Sequence, residues 1–185
     1  NVNMSERFHA LVEDTDPFKR WVALVVIKRT PITRTSCELL CANTRDSDVQ
    51  IRSACYAVLT DFVYEKGLQK FRDFTPEELE KMVRAPARAG LNDDEVLVRA
   101  DALTIIGRIK DEESLDRVIE LSRDEYRCVR KEAISTLGRM EHRGTKLMLI
   151  RHYLDPENDE DYQADVLRAL GRCQDEGCYE VLKSI

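Results

Sequence analysis

The chain has 185 residues and a net charge of −6 at pH 7; 43% of its residues are hydrophobic, and only seven are glycine and five are proline. This composition excludes a disordered linker and favours a single folded domain. The negative charge disfavours nucleic acid as the partner, because a protein that binds phosphates along a polymer needs a basic face.

The sequence carries no membrane or secretion signal that we can identify. Its longest apolar run covers only residues 21–27, which is too short to span a bilayer. No signal-peptide pattern precedes the cysteines, and a domain of this size does not need disulfides. We therefore expect a cytoplasmic protein with reduced thiols. The six cysteines are Cys37, Cys41, Cys55, Cys128, Cys173 and Cys178.

In chain order, apolar residues spaced three and four apart predict helices from one end to the other. Residues 5–12 form the first predicted helix, which is either an end cap or a sign that the repeats continue beyond this sequence. From residue 14 onward the helices form pairs. The second helices of these pairs are predicted at residues 33–43, 75–91, 112–122, 144–154 and 176–185.

The helix predicted at residues 75–91 has the clearest boundary signals. Thr75 and Glu78 have the spacing of a capping box, and Pro76 occupies the first helical position. We expect Pro86 to kink or end this helix, because proline lacks an amide hydrogen. Residues 62–73 make this repeat longer than the others, so we interpret them as an insertion.

A sequence motif marks the first helix of each pair. It is clearest in residues 98–108, 129–139 and 162–172, where each copy ends in Gly-Arg, and these copies stand 31 and 33 residues apart. Weaker copies begin near Arg20 and Arg52. A period of this length indicates stacked helix pairs. The predicted repeats, within a single domain over residues 1–185, are residues 14–44, 46–92, 93–123, 124–156 and 157–185.

An aspartate precedes the arginine of the motif by six residues in four of the five copies. An aspartate in the inter-repeat turn can reach an arginine in the next helix, and also the pair of a neighbouring repeat, through charge-assisted hydrogen bonds. We expect this Asp-Arg ladder to be structural. Its members are Asp14 and Arg20, Asp46 and Arg52, Asp93 and Arg99, and Asp124 and Arg130; in the fifth copy the pair becomes Glu157 and Gln163.

The motif consists of the aspartate, a Val-Arg pair, and the alanine, leucine and glycine that follow. As a whole it resembles HEAT repeats, in particular the short HEAT repeats of phycobilisome-lyase-type proteins. The resemblance is strongest over residues 93–182 and looser before them. It implies an all-α fold, an α-solenoid in which about five helix pairs form a right-handed superhelix. Such motifs specify architecture well and function poorly.

The resemblance implies a scaffold or adaptor that binds another protein on the concave face made by its second helices. Two alternatives remain open. One is a HEAT-like enzyme or chaperone-like subunit such as a bilin lyase, and the other is a relative of the HEAT-like alkylpurine DNA glycosylases. The acidic composition disfavours the second alternative, and Trp21 is expected in the core rather than in a catalytic groove.

No residue is assigned to catalysis, to a cofactor or to a metal. The cysteines occupy apolar positions of the repeat and lack zinc-site spacing. None of the three histidines precedes a glutamate, so the His-Glu metal pairs of HEAT-like hydroxylases are missing. His152 is expected at the surface.

Helical register predicts a row of outward-facing residues on the second helices, and exposed apolar members of such a row would mark a contact face. The row assumes that Leu115 and Val118 face inward and that the corresponding residues of the next repeat are Leu147 and Ile150. The predicted protein-binding residues are Leu39, Lys81, Arg117, Leu149 and Val181.

Overall fold

The computed structural model describes residues 10–29, 32–64, 73–140, 143–155, 159–172 and 183. Within these ranges the chain is helical and contains no extended strand, so the all-α solenoid class predicted from the sequence is confirmed. The predicted helix at residues 5–12 lies outside the described residues except for its last three, and the one predicted at residues 176–185 except for residue 183.

The described helices alternate as first and second members of pairs. None of them has the length and hydropathy needed to cross a membrane. The chain divides into two compact units, Asn1–Ile105 and Ile106–Ile185. In chain order the helices are α1 (Pro17–Lys28), α2 (Arg34–Asn43), α3 (Val49–Tyr64), α4 (Pro76–Gly90), α5 (Val96–Ile109), α6 (Leu115–Leu121, preceded by a 3-10 turn at Glu112–Ser114), α7 (Arg127–Met140), α8 (Arg143–Leu154) and α9 (Glu160–Leu170).

Side chains at the helix starts satisfy amide groups that have no partner inside the helix. Asp16 accepts a hydrogen bond from the Phe18 amide at the start of α1. At α4 the predicted capping box is confirmed, since Thr75 accepts from the Glu78 amide at 3.3 Å and Glu78 accepts from the Thr75 amide at 2.8 Å. The start of this helix is therefore determined by local residues.

In the first unit, helices pack both within pairs and between repeats. Helix α1 packs against α3, α2 packs against both α3 and α4, and α3 also packs against α4. The apolar faces meet in a continuous core, and each fully buried leucine there contributes about 1.5–3 kcal/mol relative to an exposed one. Core residues with no more than 1% exposure include Leu24, Leu40, Leu59, Leu79 and Val83.

Helix α4 continues through Pro86 to Gly90, so of the two predicted effects of this proline, a kink or an end, the end is wrong. Proline at this position cannot donate to the carbonyl of Met82, four residues earlier. The thiol of Cys41 on α2 donates to that carbonyl instead, at 3.6 Å. The hydroxyl of Tyr56 donates to the Pro86 carbonyl at 2.6 Å, so neighbouring helices support the helix where its own ladder is broken.

In the second unit, α7 and α9 approach each other closely at one glycine. A Cβ atom built on Gly138 would lie 2.7 Å from the carbonyl oxygen of Ala169 and 3.0 Å from its Cα atom. These are backbone atoms, which cannot rotate away as a long side chain can. The glycine of the motif therefore sets the distance between two consecutive first helices.

We expect Gly138→Ala to destabilise the protein by about 1–3 kcal/mol, because an overpacked contact with backbone forces the helices apart. Urea unfolding followed by circular dichroism measures the change. Gly171→Ala is the matched control, since a Cβ there has no neighbour closer than 3.5 Å. If Gly138→Ala destabilises the protein no more than Gly171→Ala does, the close approach does not limit the packing of these helices.

Candidate interaction surfaces

The four aspartates of the Asp-Arg ladder share one local geometry. Each carboxylate accepts a hydrogen bond from the amide two residues later, which closes an Asx turn between repeats. The distances are 2.9 Å from Asp14 to the Asp16 amide, 2.8 Å from Asp46 to the Asp48 amide, 2.9 Å from Asp93 to the Glu95 amide and 2.9 Å from Asp124 to the Tyr126 amide.

The four arginines of the ladder also behave alike. In each, Nη1 donates to the backbone carbonyl of the aspartate six residues earlier, so the guanidinium group supports its own turn. The distances are 2.9 Å from Arg20 to Asp14, 3.0 Å from Arg52 to Asp46, 3.0 Å from Arg99 to Asp93 and 2.9 Å from Arg130 to Asp124.

The carboxylates held by Arg20 and Arg52 belong to the following repeat. Arg20 donates from Nε and Nη2 to both oxygens of Asp46, at 2.8 and 3.0 Å. Arg52 binds Asp93 in the same two-pronged way, at 3.0 Å for each bond. Sequence spacing identified the residues, but it did not show that the arginine binds the backbone of one turn and the carboxylate of the next.

These ion pairs are shielded from water. The side chains of Arg52 and Asp93 are 13% and 12% exposed. Burial opposes ionisation of Asp93, but hydrogen bonds from Arg52 and the Glu95 amide outweigh it, so the pKa of Asp93 is below its ordinary value. The pKa of Arg52 is raised, chiefly by its hydrogen bond to Asp93. Both groups stay charged, and their hydrogen bonds are used within the fold.

The proposed row of contact residues is not uniformly exposed. Leu149 is completely buried and Leu39 is only 9% exposed, so the expectation that they face outward is wrong. Lys81 is exposed, and Arg117 is partly exposed and donates to Glu120 at 2.7 Å. Val181 lies outside the described residues.

The error at Leu149 comes from helical register. Leu149 stands 31 residues after the buried Val118, the same step that separates Arg99 from Arg130, whereas the row assumed a step of 32. One residue corresponds to about 100° of rotation around a helix. The slip therefore moved a core position onto the predicted surface.

A pocket of about 480 Å³ lies in the first unit, beside the C-terminal end of α2. Leu39 and Ala42 give it an apolar wall, and two inter-repeat turns give it a polar rim. Its charged lining consists of three carboxylates and one guanidinium group, so the local charge is negative. The charged residues are Glu13, Asp14, Asp46 and Arg20.

The described cysteines are free thiols in three kinds of surroundings. Cys37 and Cys55 are buried and Cys41 is partly buried, whereas Cys128 is exposed, contrary to the expectation that the cysteines occupy apolar positions. Burial raises the pKa of Cys41 to about 12, which keeps it a neutral donor. Among the described residues, no group of three or more His, Cys, Asp or Glu side chains could hold a metal ion.

His152 is a buried residue and not the surface residue expected from the sequence, with 7% exposure. Its Nε2 lies 3.1 Å from the Ser122 hydroxyl and its Nδ1 lies 3.1 Å from the Tyr162 hydroxyl. Ser122 has 1% exposure, so no substrate can reach this Ser-His contact. The cluster joins the end of α6 to α8 and α9.

Trp21 also differs from its prediction. It is 44% exposed and stacks on Phe18, which is 68% exposed, with ring centroids 6.3 Å apart. The core side of α1 is formed by Ala23, Leu24 and Ile27 instead. The indole ring is therefore a surface group on a first helix.

Comparison with known proteins agrees with this architecture. Residues 85–171 match a family model described as HEAT repeats. No curated protein is a significant match to the chain. An engineered protein solved by the Northeast Structural Genomics Consortium superimposes with a TM-score of 0.67 and 15% identity, over 93% of this chain and 80% of that one.

Two further solved structures have related folds. A designed armadillo repeat protein in complex with the peptide (KR)4 superimposes with a TM-score of 0.65 and 15% identity, over 92% of this chain and 82% of that one. The complex of CpcE and CpcF of phycocyanin lyase from Nostoc sp. gives a TM-score of 0.44 at 13% identity, over 97% and 80%. At such low identity, the match to the designed armadillo protein shows only that the two folds are related. The match to the lyase complex is too weak to support a conclusion.

We expect Arg52→Ala to destabilise the first unit by about 2–4 kcal/mol, because it leaves the largely buried Asp93 carboxylate without its cation. Urea unfolding at pH 7 measures the loss. The matched control is Arg127→Ala, which removes an exposed ion pair with Asp161 and should change stability very little. A stability loss no larger than that of the control would contradict the structural role of the ladder.

The buried histidine predicts a pH dependence of stability. Burial, followed by the nearby Arg123, lowers the pKa of His152 below 6.5 in the folded state. The unfolded chain therefore takes up a proton more readily, so the stability that His152 contributes is complete above pH 6.5 and is lost as the pH falls below it. We expect the free energy of unfolding to fall less between pH 7.5 and pH 5 in His152→Gln than in the unchanged protein; parallel losses would contradict this.

Proposed function

We propose that this chain, which carries HEAT repeats over residues 85–171, is a scaffold that holds an extended segment of another protein against its second helices. The observation that carries the proposal is the pocket beside α2 in the first unit. It combines an apolar wall with carboxylates, which is the chemistry that receives the stem and the head of a lysine or arginine side chain.

The electrostatics of this pocket favour a cationic side chain. Asp46 is occupied by Arg20, and Asp14 is bound by the mostly exposed Lys19 at 2.9 Å. Glu13 is exposed at the rim. The pocket also lies at the C-terminal end of α2, where the helix dipole places partial negative charge. A cation from a partner would meet both a carboxylate and this dipole.

Other contact residues are proposed from the predicted row. In the first unit, Lys81 on α4 has a side chain that solvent reaches, and it would donate to carbonyl groups of the same partner segment. Leu39 contributes through the pocket wall although little of its surface is exposed. Leu149 is not part of the contact face, because a buried side chain cannot touch a partner.

A solved protein of related fold offers a precedent for the mode of binding. The designed armadillo protein described above holds a peptide of alternating lysine and arginine. Stacked repeats can present equivalent positions at regular intervals, and an extended peptide can meet several of them at once. In our proposal the same principle applies here, with the carboxylates of the pocket as one anchor point.

We expect Ala42→Arg to weaken binding of a fluorescein-labelled (KR)4 peptide at least tenfold in fluorescence anisotropy. Ala42 is exposed and lines the pocket, so an arginine there fills the space and repels the peptide while leaving the core intact. A labelled Gly-Ser peptide of equal length should bind far more weakly to the unchanged protein.

The control for this experiment is Leu97→Arg. It adds the same charge to the same unit, at a position on the first helix α5 that is 58% exposed, and binding should stay within twofold. Equal losses in both variants would indicate unspecific attraction to an acidic protein. Failure of the peptide to bind the unchanged protein would reject the cationic-anchor proposal.

A further inference from the structure

A second pocket, of about 380 Å³, lies in the second unit on the surface of the first helices α7 and α9. All of its lining residues are polar or charged, whereas Leu39 and Ala42 also line the pocket beside α2. Four of its side chains are cations, two are carboxylates and one is a hydroxyl, so the lining has an excess of two positive charges. The residues are Lys131, Arg139, Arg168, Arg172, Glu132, Asp165 and Ser135.

Two guanidinium groups meet at one hydroxyl group in this pocket. Arg139 donates from Nη2 to the Ser135 hydroxyl at 2.9 Å, and Arg172 donates from Nη1 to the same oxygen at 2.5 Å. A neutral hydroxyl is a much weaker acceptor for guanidinium than an oxyanion. The two arginines are therefore already directed at one point where an anionic oxygen would be the stronger partner.

The fold holds Arg139 in place, whereas Arg168 and Arg172 are exposed and are oriented by their hydrogen bonds. Arg139 is only 17% exposed and donates from Nη1 to Glu132 at 2.9 Å. Gly107 leaves room for it, since a Cβ atom there would lie 3.1 Å from Arg139 Nη1. Arg168 donates to the largely buried Asp165 at 2.6 Å. Preorganised donors of this kind lose little conformational freedom when a ligand binds.

We propose that this pocket binds a phosphate monoester on a serine or threonine of a partner protein. Such a group carries a charge of about −1.5 to −2 at pH 7, which matches the charge excess of the lining. Its three terminal oxygens can accept from several guanidinium groups at once, and Arg139 and Arg172 are placed to share them.

The carboxylates distinguish a phosphopeptide from a nucleic acid. Glu132 and Asp165 would repel the neighbouring phosphates of a polyanion, whereas they can accept hydrogen bonds from the amides or basic side chains of a peptide. The pocket is also larger than a phosphate group, so residues on either side of the phosphoserine would fit within it. This surface is separate from the pocket beside α2 and does not depend on the function proposed for it.

The test is isothermal titration of the full chain with the capped pentapeptide Ala-Ala-phosphoserine-Ala-Ala. We expect it to bind at least tenfold more tightly than the unphosphorylated pentapeptide and more tightly than inorganic phosphate. Equal binding of inorganic phosphate would indicate a site for free anions, and tighter binding of a twelve-nucleotide single-stranded DNA would indicate a nucleic-acid site; either result overturns the proposal.

Two variants test whether the phosphopeptide binds in this pocket. The double variant Arg139→Gln with Arg172→Gln should weaken binding at least tenfold. Ser135→Asp should do the same while keeping every arginine, because an internal carboxylate then occupies the point where the two guanidinium groups meet. Circular dichroism identifies any variant that fails to fold. If the double variant does not fold, Ser135→Asp still tests the proposal.

The matched control is Arg127→Gln with Arg151→Gln, which removes the same two charges from the same unit. Both residues are exposed and lie outside the pocket. We expect binding within twofold of that of the unchanged protein. Equal weakening by the control, or normal binding by Ser135→Asp, would overturn the proposal.

Discussion

The guanidinium group of Arg52 makes the contact that links two successive repeats of the first unit. It donates to the carbonyl of Asp46 in its own turn and to the carboxylate of Asp93 in the next one, so one planar group ties two inter-repeat turns together. Arg20 makes the same contacts one repeat earlier. Because a guanidinium group is rigid and always charged, the spacing between successive turns is defined more narrowly than apolar packing alone would define it.

The close contacts between helices follow from small or unusual residues at a few positions. Gly138 lets α7 approach the backbone of α9. Pro86 interrupts the hydrogen bonds of α4, and Cys41 from α2 donates to the carbonyl left without a partner. In both places, contacts with the neighbouring helix compensate for a residue that weakens an isolated helix. The helices are therefore stable in their pairs and stacks rather than as independent segments.

Many polar side chains make their hydrogen bonds within the fold. The Arg52-Asp93 pair is shielded from water, and the Ser122-His152-Tyr162 cluster is buried. Asp14, Asp46 and Arg20 belong to the ladder and also line the pocket beside α2. The two pockets differ in the balance of charge in their linings, since carboxylates outnumber cations in the pocket beside α2 and cations outnumber carboxylates in the pocket of α7 and α9. A repeat protein with one pocket for a cationic side chain and another for a phosphate group could bring two segments of partner proteins together, which is the role proposed for a scaffold.

The sequence by itself determined the helical class, the repeat period and the residues of the ladder, because each depends on spacing along the chain. The capping box at Thr75 and Glu78 is equally local, and it was predicted correctly. Only the tertiary structure decided which aspartates Arg20 and Arg52 bind, since those carboxylates come from a turn in the next repeat. It also decided that Leu149 and His152 are buried and that Trp21 is exposed, because burial depends on which face of a helix its neighbours cover. The pocket of α7 and α9 could not be found from spacing either, since Ser135 and Arg172 are 37 residues apart and meet only when the helices stack.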